Sequence, residues 1–323
     1  MNISSRTPVD IIVPSYNMAP WLKFTLEGLL AQTHRAIIIY VIDDGSTDKG
    51  ATKRYVQSLK DPRVKYVHKE NGGLAAARNT GIAISSSPLV AFCDADDVWY
   101  KDKLALQVKL LAKKPRLGLV YGSHDYIDEK NQKTGGLNAE LRGNAFEKLL
   151  SGNRITGSGS MVLVPRRVLD KVGFFHEDFR IGEDWEFWLR IAQKYSIDFV
   201  DKRIVAIRMR SDSMQTNNLK MADGLMYMLP VMIRELQLNR KQRALMKSSI
   251  YWQAAVFYFW GGRALKARSL LVKLFAIDPH ALRDESRQLG YLLVMTGHRP
   301  ATFLSRALRK ISPKTHQRLV DKS

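Results

Sequence analysis

Along the first 120 residues the hydrophobic positions switch between two periods. Val9–Val13 is an apolar run that stops at Pro14 and reads as a strand. Trp21, Leu22, Leu26, Leu29 and Leu30 then fall at helical spacing on one face. Ala36–Ile42 is apolar apart from Tyr40 and rich in β-branched residues, as a parallel strand buried on both faces should be. It runs into Asp43-Asp44-Gly45-Ser46, whose polar side chains suit the cap of a helix over Lys53–Leu59. The same reasoning predicts a strand at Val64–Val67, a helix at Leu74–Ile84, a strand at Leu89–Cys93, a helix at Lys103–Ala112 and a strand at Leu117–Tyr121. From Gly122 to Arg142 the pattern fades, and the polar stretch Asp128–Gly136 predicts a hairpin or a loop. Strands are expected again at Ser160–Val164, Ile197–Val200 and Ile204–Met209, with helices at Arg167–Val172 and Trp185–Tyr195.

Strands alternating with helices in this way predict an α/β fold with an open, doubly wound sheet. After Asn218 the strand signals stop. Residues 219–323 read as helical, with breaks near Gly261-Gly262, Asp278-Pro279, Gly297–Pro300 and Ser312-Pro313. The stretch from Ala254 to Pro279 has the small-residue spacing of one tetratricopeptide helix pair. One unit has no copy to stack on, so a tail packed on the first domain is expected rather than a solenoid. The chain therefore divides into a domain over 1–218 and a helical region over 219–323.

Charge sharpens that division. The 323 residues carry a net charge of +20. Residues 221–323 hold 18 Lys and Arg against 6 Asp and Glu, so more than half of the excess sits in a third of the length. At 45% hydrophobic residues the chain can bury a full core. A lone Cys93 excludes a disulfide framework. Apolar runs such as Ala254–Trp260 and Tyr291–Met295 fall short of the about 20 residues that cross a bilayer. The first ten residues lack the apolar core of a signal peptide. The expectation is a cytoplasmic protein whose basic third seeks an anionic surface, such as the inner face of the cytoplasmic membrane. Basic residues including Arg263, Lys266, Arg268, Lys273, Arg306, Arg309, Lys310 and Lys314 recur near Trp252, Phe257, Tyr258, Phe259 and Trp260, which suits such a surface.

In open α/β sheets the ligand sits beyond the carboxyl ends of the strands. Three such ends are polar here: Pro14-Ser15-Tyr16-Asn17, Asp43-Asp44-Gly45-Ser46 and Asp94-Ala95-Asp96-Asp97. Carboxylates one residue apart at a strand end can share a divalent cation, and Mg²⁺ or Mn²⁺ accepts one or two of them together with substrate phosphates. Tyr16 can stack on a base, and Asp44 can accept a hydrogen bond from a base N–H. Gly72-Gly73-Leu74-Ala75-Ala76-Ala77-Arg78-Asn79 lets a backbone approach a ligand and offers a guanidinium to phosphate. Each feature alone has an ordinary structural explanation, as a turn, a cap or helix packing.

Together, IIVPSYN, VIDDGSTD, NGGLAAARNTG, FCDADD and GEDWEFWLR resemble, in order, the motifs of the family 2 inverting glycosyltransferases of GT-A fold. The likeness covers about residues 9–210. It implies a GT-A open mixed sheet flanked by helices, with the C-terminal helical region beyond it. It implies that Pro14, Tyr16, Asn17 and Asp44 hold the nucleotide base, and that Asn71, Gly73 and Arg78 lie near base and diphosphate. Asp94 would face the ribose and the metal's shell, and Asp96 would ligate a divalent Mn or Mg ion. Asp97 would be an extra carboxylate, often present in the family, and a candidate helix cap. Asp184 would be the general base, with Glu183 and Trp185 on the acceptor side. The implied donor is a nucleotide sugar, UDP-linked as the commonest case, and the implied acceptor is a glycan or lipid-linked glycan of cell-surface polysaccharide synthesis. Many relatives carry Arg-x-His after the last strand. Here Arg208-Met209-Arg210 puts Arg210 at the His position, where it can clamp phosphate but not ligate a metal. Ser213–Asn218 is expected to form a loop ordered by the donor.

Two other classes remain to be weighed. Nucleotidyltransferases open with a Gly-rich basic loop after the first strand, and VPSYNMAP has neither glycine nor a basic residue. A basic nucleic-acid- or lipid-binding protein with a degenerate site would be expected to lack some carboxylates, yet Asp44, Asp94, Asp96 and Asp184 are all present. No nucleic-acid-binding signature accompanies the basic helices, so nucleic acid is the disfavoured partner.

Overall fold

The structure is a computed structural model that describes residues 3–155, 157, 159–213 and 217–279. Two compact units result, Met1–Phe146 with Asn153–Arg208, and Glu147–Gly152 with Met209–Ser323.

In the first unit the apolar runs become strands β1 (Val9–Ser15), β2 (Ile37–Asp44), β3 (Val64–Lys69) and β4 (Leu89–Phe92). Between them lie helices α1 (Ala19–Leu30), α2 (Ala51–Ser58) and α3 (Leu74–Ile84). The chain continues through β5 (Val98–Trp99), α4 (Lys103–Lys113), β6 (Leu119–Ile127), β7 (Lys133–Leu137), α5 (Phe146–Leu150), β8 (Leu163–Pro165), α6 (Arg166–Val172), α7 (Glu183–Lys194) and β9 (Ile197–Arg208). One sheet holds the strands in the order β3-β2-β1-β4-β8-β6-β9-β5, with β7 paired to β6.

The parallel half, β3-β2-β1-β4, follows the expected winding. Beyond β4 the sheet turns mixed: β8 runs antiparallel to β4 and β5 antiparallel to β9, while β6 and β9 are parallel. β1 is buried at all seven positions, with β2 on one side and β4 on the other. The chain reverses its direction of winding there, the place where open α/β sheets take their ligands beyond the carboxyl ends of the strands. Helix α3 packs so closely on β1 that a Cβ at Gly81 would lie 2.4 Å from Ile12 Cγ2.

Some boundaries differ from the sequence reading, for physical reasons. The two strands expected at Ile197–Val200 and Ile204–Met209 are one strand, β9. The exposed residues Asp201–Arg203 loosen its periodicity where the register against β6 shifts. The strand expected from Ser160 starts only at Leu163, because Gly159–Met161 forms a 3-10 turn. Asp128–Gly136 belongs to a hairpin between β6 and β7.

The second unit is built on α8 (Asn218–Glu235), α9 (Arg240–Trp260) and α10 (Ala264–Ile277). Asn239 and Gln242 close a capping box at the start of α9. Gly262, at φ +79°, makes the turn into α10. Trp252, Tyr258 and Phe259, expected beside the basic residues of a membrane face, are buried. Their apolar area serves this unit's core, and Tyr258 donates its hydroxyl to Asp223. The further breaks, Arg306, Arg309, Lys310, Lys314 and residues 214–216 of the Ser213–Asn218 loop lie outside the described residues. No described helix is long and apolar enough to cross a membrane.

Candidate functional site

The loops after β1 and β2 are latched to each other. Asn17 adopts φ +56°, which brings its backbone N–H to Ser46 Oγ (2.9 Å) while its Oδ1 accepts from the Thr47 N–H (2.8 Å). The Asn17 side chain thus joins two strand ends, while Tyr16 stays 45% exposed on the rim and Pro14 is buried in β1. Asp43 accepts from the Ser46 N–H (2.9 Å) and the Tyr66 hydroxyl (2.6 Å). Burial and that carboxylate push the Tyr66 phenol well up from its ordinary range.

Asp44 holds the next turn. Its carboxylate accepts from the N–H groups of Gly72 (2.9 Å) and Gly73 (2.8 Å) and from Lys69 Nζ (2.8 Å). Asn71 Nδ2 donates to the Asp44 carbonyl (2.8 Å). Gly73 stands at φ +92°, a conformation that side-chain-bearing residues rarely adopt, and opens α3.

Arg78 departs from its expected role at the diphosphate. It is 1% exposed, one side of its fork donating to Glu183 Oε1 (2.8 Å) and the other to Asp94 Oδ1 (2.9 Å). Burial works against its charge, but Asp94, Glu183 and Asp184 outweigh burial and hold its pKa above the ordinary value. Its neighbour Asn79 donates to the Phe175 carbonyl (2.9 Å) and Glu177 Oε1 (2.8 Å), and accepts from the Phe175 N–H (2.9 Å). The Arg-Asn pair therefore clamps the segment that leads into α7.

Asp97 is not a helix cap, since α4 begins after Asp102. It is 2% exposed and accepts from Ser160 Oγ (2.6 Å) and the Arg208 N–H (3.0 Å). Ser160 also accepts from the Asp94 N–H (2.9 Å). The Arg208 guanidinium donates to the carbonyls of Asp96 (3.0 Å) and Asp128 (3.1 Å) and to Asn131 Oδ1 (2.8 Å), and lies 4.8 Å from the Trp21 ring centre. Ser160 and Arg208 hold the Asp94–Asp97 loop in place. Only the Arg-x-His comparison marked Arg208, and nothing local marks Ser160.

Asp94 and Asp96 are left half-buried at the end of β4. No group of three or more His, Cys, Asp or Glu that could hold a metal occurs among the described residues. Asp94 and Asp96 offer an oxygen pair, the donor type that Mg²⁺ or Mn²⁺ takes when phosphates and water complete the shell.

Gly182, at φ +77°, turns the chain into α7. Glu183 is 7% exposed, and burial together with the adjacent Asp184 pushes its pKa up to about 7, against the pull of Arg78. Asp184 is half-buried, its Oδ2 facing Asn153 Nδ2 at 3.4 Å and its Oδ1 accepting from the Trp185 N–H at 2.6 Å. Trp185 was expected on the acceptor side. At 2% exposure its ring serves the core instead. Arg210 falls in the second unit, 7% exposed, with Nε donating to Asp212 (2.9 Å). A cation absent from the sequence reading, Arg180, is exposed and donates to the Gly72 carbonyl (3.2 Å).

The model of the family described as Glycosyl transferase family 2 matches residues 10–173, just over half of the chain. The chain belongs to glycosyl transferase family 2. Among its relatives is an uncharacterized glycosyltransferase of Rickettsia conorii, 34% identical over 210 residues, which are 64% of this chain and 33% of that protein. The chain thus spans about a third of the length of the first rickettsial relatives it matches. WfgD of Escherichia coli, named as a UDP-Glc:alpha-D-GlcNAc-diphosphoundecaprenol beta-1,3-glucosyltransferase, is 29% identical over 215 residues, 66% of this chain and 81% of that one. In fold, the chain resembles Staphylococcus aureus TarS 1–349 in complex with UDP-GlcNAc, with a TM-score of 0.63, 17% identity and coverage of 98% of this chain and 91% of that one. It also resembles the mannosyltransferase PcManGT of Pyrobaculum calidifontis in complex with GDP-Man and Mn2+, with a TM-score of 0.58, 20% identity and coverage of 98% and 85%. The family 2 chain therefore has a GT-A fold, a mixed sheet flanked by helices with helices following it. Its rim joins an exposed aromatic, a tightly held glycine turn, two half-buried carboxylates and a second acidic pair.

Proposed function

We propose that this protein transfers a sugar, with inversion, from a nucleoside diphosphate sugar to a hydroxyl of a glycan or lipid-linked glycan. The observation that carries this reading is the Arg78 bridge, which ties the carboxylate expected at the donor, Asp94, to the acidic pair that opens α7. One buried guanidinium sets donor-side and base-side carboxylates in a fixed relation, as a single displacement across one sugar carbon requires.

Each group then has a task. Tyr16 offers its exposed ring to the base, and the turn held by Asp44, Asn71 and Gly73 closes the base pocket. Asp94 and Asp96 would hold a divalent cation at the donor end, and that ion would neutralise charge on the departing diphosphate. Asp184 takes the proton of the acceptor hydroxyl as its oxygen attacks the anomeric carbon from the face opposite the nucleotide. Glu183, buried against Arg78, fixes the start of α7 so that Asp184 faces outward. UDP is the favoured nucleotide because WfgD is named for UDP-Glc and TarS was solved with UDP-GlcNAc. WfgD's diphosphoundecaprenol substrate favours a lipid-linked acceptor, and the basic excess after residue 220 suits an approach from the cytoplasmic face of an anionic membrane.

The test is a panel of UDP-, GDP- and dTDP-sugars, scored for metal-dependent thermal shift and then for donor hydrolysis. A shift and slow hydrolysis with a UDP-sugar in Mn²⁺ or Mg²⁺ are expected. No shift with any nucleotide sugar would overturn the reading.

A further inference from the structure

With Arg78 committed to two carboxylates, the site needs another cation for the donor's phosphates. Lys69 does not supply it, because its ammonium is held by Asp44 Oδ1 and the Glu70 carbonyl. Arg180 has a different environment. It is exposed, it has no carboxylate partner among the described residues, and its recorded hydrogen bond goes to a neutral carbonyl, that of Gly72. A guanidinium has five N–H donors in a rigid fork, so most of its capacity faces solvent.

Its position also fits. The guanidinium lies against Gly73 so closely that a Cβ there would sit 2.2 Å from the Arg180 terminal nitrogen. Glycine at 73 adopts φ +92°, and the absence of a Cβ lets the Arg180 fork lie directly against the turn. Gly73 opens α3, where the helix dipole favours an anion. Five residues further along α3, about 7.5 Å of rise, Arg78 holds Asp94. A nucleotide crossing from the Asp44 turn to Asp94 passes this stretch. Arg180 also stands three residues before Glu183, on the segment that leads to the base. Asp44, at the same turn, is held by Lys69 and the glycine N–H groups, and Glu177, three residues before Arg180, accepts from Asn79.

We infer that Arg180 is the residue that grips the diphosphate of the donor, and that Arg78, buried and bound to Asp94 and Glu183, is a positioning residue. This rests on the nucleotide-sugar reading and names the cation that reading requires.

The experiment compares UDP with UMP, and GDP with GMP, by calorimetry in Mg²⁺ on the full chain. The proteins are wild type, Arg180→Ala and Arg180→Lys. If Arg180 grips the β-phosphate, Arg180→Ala weakens diphosphate binding about tenfold or more while monophosphate affinity stays within twofold. Arg180→Lys recovers part of the loss, because the charge remains but the fork does not. Equal loss for mono- and diphosphate, or no loss at all, overturns the assignment. Wild-type protein that binds none of the four nucleotides overturns the nucleotide-sugar reading as well, so the two failures are distinct.

Discussion

Arg78 and Asp184 show how little a residue's type says about its task until its surroundings are known. An arginine on the first turns of a helix behind two glycines has the chemistry of a phosphate clamp. Here it is a buried strut, and the price of removing it falls on two carboxylates. Arg78→Met leaves Asp94 and Glu183 without their counter-charge, and a broken buried pair costs about 3–5 kcal/mol. Part of that is recovered by water at Asp94, whose side chain is 24% exposed. Urea denaturation should show a lower midpoint at unchanged slope. Asp184→Asn behaves differently. The carboxylate is half-buried, with Oδ2 facing Asn153 Nδ2 and Oδ1 accepting from the Trp185 N–H. Loss of basicity at unchanged size should keep nucleotide affinity and lower transfer by about 100-fold or more. Transfer at the wild-type rate would move the base to another residue.

At the scale of elements, α4 carries the least expected feature. Lys103 is fully buried, with Nζ donating to Gln107 Oε1 (2.8 Å) and lying 3.7 Å from the Trp99 ring centre. Burial pushes its pKa down to about 7 from 10.5. Between those two values the unfolded chain binds a proton that the folded chain has released, so stability rises with pH across the window. Below pH 7 Lys103 is charged in both states and its burial is most costly. Lys103→Met should flatten the rise in urea midpoint between pH 7 and pH 9. A variant that keeps the wild-type slope would place the titration elsewhere. Periodicity alone put Lys103 at the start of this helix, and Gln107, which holds the carbonyls of Val120 and Met161, explains why the helix cannot turn the lysine outward without losing its seat on the sheet.

For the whole molecule, the relevant quantity is the net charge of +20 and its concentration after residue 220. On α10, Leu265 and Val272 are 80% and 65% exposed, with Lys266 and Lys273 exposed beside them. Apolar residues flanked by lysines on one helix suit the headgroup region of an anionic bilayer, where each Lys or Arg adds about 1 kcal/mol. Co-sedimentation should detect binding to vesicles containing phosphatidylglycerol, none to phosphatidylcholine vesicles, and release as salt rises to 0.5 M. Equal binding to both vesicle types would show that charge is not the attraction.

The local pattern was enough for α1, α3, β1 to β4 and the polar rim beyond them, because burial on one or both faces forces a period on the residues that form them. Leu74–Ile84 is a helix in sequence and in structure, and the motifs at the ends of β1, β2 and β4 lie where winding brings strand ends together. Contacts between distant residues leave no such period. The bonds of Arg78 to Glu183, Ser160 to Asp97 and Arg208 to the Asp96 carbonyl span 105, 63 and 112 positions. Which carboxylate Arg78 meets, which face Trp185 turns inward and where Arg180 rests on Gly73 depend on packing across those separations. The chain's own order dictated the elements and the chemical inventory, and tertiary packing decided which members of that inventory face the ligand and which hold the others in place.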